Sequence, residues 1–154
     1  MKLIPSHCLA ILFAAALPAM ATVTVSFPSL TYTDIGPPGK DREDVKNELA
    51  TYIHVLDSKY LKSSDNLWVE VMDVDLAGNR NMGRHDIRVT SGKSDLPTLV
   101  LRYKLERDGK TMAGEDTLSD STYQGSSMLL KSGQTPYYYE KHMLEQWFKE
   151  RFVR

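Results

Sequence analysis

Apolar and polar residues alternate most clearly from Leu99 to Glu106, where Leu99, Leu101, Tyr103 and Leu105 interleave with Val100, Arg102, Lys104 and Glu106. A period of two places each set on its own face, so the segment predicts a half-buried strand. Asp108-Gly109 supplies a two-residue turn that accepts positive φ, and Lys110 to Ser119 reads as the returning strand. In that register Arg102 faces Glu115 on the wet side, Leu105 faces Met112 on the core side, and Leu101 faces Asp116. Val23-Thr24-Val25-Ser26-Phe27, Leu67 to Leu76 and His85 to Thr90 read as further strands.

Two segments carry helical periodicity instead. Val45, Leu49, Tyr52, Ile53, Leu56 and Tyr60 recur at helical spacing, which predicts a helix from a cap at Asp41 to about Tyr60. Glu43 and Asp44 fall in its first turn, where the helix dipole favours acids. Thr135-Pro136 has the form of a cap and first helical residue, opening a second helix whose apolar face is Tyr137, Leu144, Trp147, Phe148 and Phe152. Gly36-Pro37-Pro38-Gly39, a Gly-Asn-rich stretch around Gly78, Asn79 and Gly83, and the polar segment Ser119 to Thr135 read as loops. The order is β-α-β-β-β-β-α. It predicts a two-layer α+β domain, a mostly antiparallel sheet with both helices on one face and a parallel first βαβ unit.

The apolar run at the start is of another kind. Lys2 precedes Cys8 to Leu17, Pro18 breaks the run, and Ala19-Met20-Ala21 offers small residues at a cleavage site. That order predicts a cleaved secretory signal peptide over 1–21, a mature single domain over 22–154, and an address in the periplasm more than outside the cell. At roughly 10 residues the run is about half of what a membrane span needs. Removal leaves 133 of 154 residues with 18 basic and 20 acidic side chains, a net charge of −2. A nearly balanced chain gives no electrostatic case for a nucleic acid partner, and nothing in the mature part reads as a transmembrane anchor. Cys8 is the one cysteine and goes with the leader, which excludes disulfides and thiolate chemistry from the mature part.

Sequence motifs for chemistry are thin. Asp73-x-Asp75 followed by Gly78 has the beginning of a calcium loop, but the fifth and twelfth positions are Ala77 and Arg84, so the ligand set fails. His54, His85 and His142 show no metal-binding spacing, and the glycine-rich phosphate and serine-nucleophile motifs are absent. No metal or cofactor is expected. Two carboxylates fall on otherwise apolar strand faces: Asp73 with Leu67, Val69 and Val71, and Asp116 opposite Leu101. Either they join Arg88 or Arg102 in a ligand-binding cluster, or a bulge at Gly114 slips the register and returns Asp116 to solvent; the bulge is the favoured expectation. Asp73, Asp75, Asp86 and Arg88 with Asp116 form one candidate site, for a small ligand or a hydrolytic reaction. The other is an aromatic patch of Tyr137, Tyr138 and Trp147 on the second helix, suited to a partner protein of the envelope. Between the two, binding to another envelope component is the expected role.

The chain also resembles a family of exported bacterial proteins known only as domain of unknown function 3016. The resemblance rests on Tyr32-Thr33-Asp34, Asp41-Arg42-Glu43, Val71-x-Asp73-Val74-Asp75-Leu76-Ala77-Gly78 and Asp86-Ile87-Arg88-Val89. Further matches are Leu101-x-Tyr103, Ser119-Asp120 with Tyr123, and Tyr139-Glu140-Lys141-x-Met143-Leu144-x-x-Trp147-Phe148-x-x-Arg151-Phe152. It implies an envelope address and a single domain, and supplies no activity or catalytic residue.

Overall fold

The computed structural model describes residues 21–81, 84–89, 96–120 and 136–153, with side chains left aside at 79–81 and 84–89. Residues 1–20, which carry most of the expected leader, and the polar segment 121–135 lie outside the described residues. Strand β1 (Thr22–Ser26) leads into helix α1 (Lys40–Tyr60), followed by β2 (Asn66–Asp75), β3 (Asn79–Asn81), β4 (Arg84–Val89), β5 (Thr98–Arg107), β6 (Lys110–Ser119) and helix α2 (Tyr138–Phe152). The architecture is α+β, as the periodicity predicts. The main sheet has the order β1-β2-β5-β6; β1 and β2 run parallel, joined through α1, and the other pairs are antiparallel.

The β5–β6 hairpin keeps the predicted register throughout, with Arg102 opposite Glu115, Leu105 opposite Met112 and Leu101 opposite Asp116. Asp108 and Gly109 both take positive φ (51° and 72°), the backbone that a two-residue hairpin loop requires. Gly114 introduces no bulge, contrary to expectation. It sits opposite Tyr103, and a Cβ there would lie 2.9 Å from the Tyr103 hydroxyl oxygen, so the glycine makes room for the ring.

A slip does occur, in β2 rather than β6. The pairing with β5 passes from Val71↔Leu101 to Asp73↔Val100, leaving Met72 as the extra residue. Val74 then takes the buried side and Asp73 the opposite one, sharing the outer face with Val100. Alternation read straight through Val71 therefore misplaced Asp73, because one inserted residue exchanges the faces beyond it. The strand expected at His85–Thr90 pairs with the short β3 in a separate two-stranded sheet, where a loop alone was expected.

Both helices begin differently from the capping pattern. Gly39, not Asp41, is the N-cap of α1 and Asp41 lies in the first turn. Helix α2 starts at Tyr138 behind a left-handed Tyr137, so Pro136 belongs to the turn before it. The buried stripe of α1 is the one the spacing predicts: Val45, Leu49, Ile53 and Leu56 are enclosed, with Tyr52 and Tyr60 packed at its margin. Leu67, Val69, Val71 and Val74 of β2 and Leu99, Leu101, Tyr103 and Leu105 of β5 supply the sheet side of the core. Helix α2 completes it with Leu144, Trp147, Phe148 and Phe152, whose rings meet edge to face at 5.0–5.3 Å.

Candidate functional site

The charged residues singled out in the sequence fall on three strands: Asp73 and Asp75 on β2, Asp86 and Arg88 on β4, and Asp116 on β6. Asp73 accepts hydrogen bonds from the Thr33 backbone N–H (2.8 Å) and hydroxyl (2.6 Å), and the Asp34 N–H donates to the Val74 carbonyl (3.1 Å). Together these bonds fasten the segment after β1 along the end of β2. Asp75 is half-buried at the same strand end. Asp86 and Arg88 lie on β4, where the backbone pairs Arg88 with Arg80; their side chains fall outside the described set.

Asp116 is on the core-facing side of β6, and neither Arg88 nor Arg102 is its partner. The Trp147 indole N–H donates to it at 2.8 Å, and Arg151 donates to its other oxygen at 2.6 Å. One turn of α2 separates the two donors, so a single carboxylate ties the helix to the edge strand. The acid is paired because an unpaired carboxylate at that position would cost several kcal/mol. Sequence spacing shows Trp147 and Arg151 as i, i+4 neighbours but gives no sign of the strand acid they serve.

The aromatic patch does not form either. Trp147 is 4% exposed and packs against Tyr103, while Tyr137 is partly buried against the core. Tyr138 is the exposed member of the three, its ring stacked on His142. A helix turning through 100° per residue cannot present all three, and the core takes the tryptophan.

Nothing in the spacing of residues points to the Asp65–Arg107 pair. Asp65 is buried, and Arg107 donates to both of its oxygens, at 2.6 Å from Nη2 and 3.0 Å from Nε, while its third nitrogen donates to the Phe152 carbonyl (2.8 Å). The Lys62 N–H also donates to the carboxylate, and the Asp65 carbonyl accepts the Thr22 N–H. One acid thereby links the starts of β1 and β2, the end of β5 and the end of α2. Burial pushes its pKa up, but the Arg107 and Lys62 hydrogen bonds outweigh that and hold it below the usual carboxylate range. Glu145 plays a similar part between helices: Lys59 (2.6 Å) and the Tyr60 hydroxyl (2.7 Å) donate to it. Those two bonds, Lys59 first, lower its pKa to about 2.

At the other end of the sheet, Arg42 is buried under Tyr32 and donates to the Leu30 and Gly36 carbonyls. The buried carboxylate of Glu140 accepts the Ala77 N–H at 2.7 Å, and Lys141 pairs with Glu48 at 2.8 Å. These residues, with Thr33 and Asp73, are spread over the segments that carry the family resemblance, and each holds one loop or helix against another.

The accessible concavity lies elsewhere, on the side of the sheet that carries no helix. Trp68 stands there, 36% exposed, with Lys104 beside it and its ammonium 4.9 Å from the ring centre. Next to that row Arg102 bridges Glu70 (3.3 Å) and Glu115 (3.2 Å), and Lys104 also pairs with Glu106 (2.7 Å). Trp68, Glu70, Arg102, Lys104, Ala113 and Glu115 line an open depression of about 620 Å³. Its ion pairs are solvent-exposed and contribute about 0–1 kcal/mol each, so they are easily exchanged for other contacts. A smaller polar notch of about 270 Å³ lies by the Asp108-Gly109 turn, where Arg107 is already engaged by Asp65. Among the described residues no cluster of histidines and carboxylates is arranged to hold a metal ion.

Fold and surface together define a small α+β domain in which, among the described residues, both helices lie on one face of the main sheet and none on the other. The chain belongs to the family described as protein of unknown function DUF3016, whose model matches residues 21–150. No curated protein and no solved structure matches it. No helix among the described residues is long and apolar enough to cross a membrane.

Proposed function

We propose that this protein is an exported, non-catalytic binding module that holds its ligand on the helix-free face of the main sheet. The carrying observation is Trp68, a large aromatic exposed in the middle of a strand face whose neighbours are otherwise polar. Most outward positions of a solvated antiparallel sheet are polar, and a tryptophan there forgoes the burial that would stabilise the fold. Tryptophan is also the residue most enriched where binding energy concentrates. Asp65, Arg107, Lys59 and Glu145, whose pKa values are shifted by the partners they hold, tie elements together and lie outside the depression. That division favours recognition over acid–base chemistry. The periplasmic address rests on the leader pattern of residues 1–21, and the family match beginning at residue 21 is consistent with it.

The test is photo-crosslinking in growing cells, with a photoreactive residue at Lys104 on the sheet face or at Val55, an exposed position on α1. A discrete adduct from position 104 and none from 55, recovered in the envelope fraction, is the expected result. Adducts from neither position, or equally from both, would contradict the reading.

A further inference from the structure

Resting on that reading, we infer that the ligand of the open sheet face is a neutral, polyhydroxylated chain: a glycan. The charges on the face argue against the other classes. Around the depression Glu70, Glu106 and Glu115 stand against Arg102 and Lys104, leaving one net negative charge, and Asp73 and Asp75 further along the face add to it, so a polyanion meets no attracting field. A basic partner gains little, because the three acids are already paired with the two cations. The floor of the depression is mostly apolar, from Trp68, Tyr103, Ala113 and Gly114, but Glu70, Arg102, Lys104 and Glu115 stand around it, and a protein surface would have to strip water from those charges to form a dry centre.

A sugar chain uses what remains. The ring face of Trp68 carries the negative part of its quadrupole, and the C–H groups on the flat side of a pyranose carry the complementary partial charge. Lys104 occupies a ring position now, in an exposed cation–π contact weak enough to be displaced. Carboxylates and a guanidinium beside the ring accept from and donate to vicinal hydroxyls, and charge-assisted hydrogen bonds of that kind are the strong ones. Glu70, Arg102 and Glu115 form such a row directly alongside the Trp68–Lys104 row, one strand residue pair away on the same face. The exposed hydroxyls of Thr24, Ser26 and Thr117 continue the polar margin on both flanking strands.

The experiment uses protein purified from cells expressing the full chain, titrated with uncharged tetramers of N-acetylglucosamine, glucose, mannose and galactose. The chain has two tryptophans, so its indole N–H signals in two-dimensional NMR report on Trp68, with Trp147, tied to Asp116, as the internal reference. A saturable shift of the Trp68 signal with at least one tetramer, and no shift at Trp147, is expected. Trp68→Ala and Glu70→Gln should each weaken that affinity about tenfold, as loss of a central contact does. If no tetramer moves the Trp68 signal at millimolar concentration, the glycan inference is overturned. If the tetramers fail while the crosslink from position 104 still yields a discrete protein adduct, the ligand class falls and the binding module stands. If both fail, both fall.

Discussion

Asp116 stands on the core-facing side of β6, where the Trp147 indole and the Arg151 guanidinium donate to it. Its place opposite Leu101 follows from a hairpin whose turn fixes the register, so the inward carboxylate was legible in the sequence. Its partners were not, because Trp147 and Arg151 are brought to it by the docking of α2. Gly114, expected to cure the oddity by a bulge, answers to a neighbour across the ladder instead. Gly114→Ala should destabilise the protein by about 1–3 kcal/mol through overpacking against Tyr103. Because the hydroxyl is the nearest atom, Tyr103→Phe in the same chain should recover part of the loss, and urea denaturation of the two single variants and the double variant would show it. A double variant no more stable than Gly114→Ala would place the strain elsewhere. Asp65 gives a larger expectation. Arg107→Ala leaves a buried carboxylate without its cation and should cost about 3–5 kcal/mol by the same measurement.

At the scale of elements, regular periodicity was readable and interruptions of it were not. Helix α1 and the β5–β6 hairpin follow from spacing and turn chemistry alone. The slip at Met72 has no glycine or proline to announce it, and it moved Asp73 from the core face to the outer one. Helix α2 begins after a left-handed tyrosine, a conformation that local sequence disfavours and that packing against the core must hold. The two helices are joined by Glu145, and its depressed pKa has a sign that can be tested. Glu145 binds its proton less readily in the folded chain (about 2) than at its ordinary value of 4.5, so the carboxylate stabilises the fold above that ordinary value. The contribution is lost as pH falls from about 4.5 towards 2. Glu145→Gln should therefore be less stable than the parent at pH 7, by about 1 kcal/mol for a pair close to the surface. The difference should narrow below pH 4.5 and vanish near pH 2; a gap that persists at pH 2 would mean that the acid acts through packing alone.

Over the whole molecule, the sheet separates structural work from exposed surface. Its inner face and both ends hold the core and the ionic ties: Asp116 to α2, Asp65 to four chain segments, and Asp73 and Arg42 to the loop between β1 and α1. Its outer face holds Trp68 and a row of exchangeable ion pairs. The α+β class was legible from element order, since strands and helices betray themselves by period. The candidate surface was not, because it is assembled across β2, β5 and β6, and Trp68 and Arg102 are far apart in sequence. The sequence did place Arg102 opposite Glu115 on the wet side, yet it offered no reason to join them to Trp68 before the pairing of β2 with β5 was known.

The central claim is that Trp68 is exposed for recognition and contributes little to folding. The most direct measurement is the Trp68→Ala variant, assayed side by side for thermal unfolding and for recovery of the adduct crosslinked from position 104. Truncating a half-covered strand residue should cost about 1 kcal/mol, a shift of about 4 °C in Tm and well short of the loss from a core tryptophan, while the adduct disappears. A variant that unfolds like a core mutant, or that folds normally and still forms the adduct, would contradict the account.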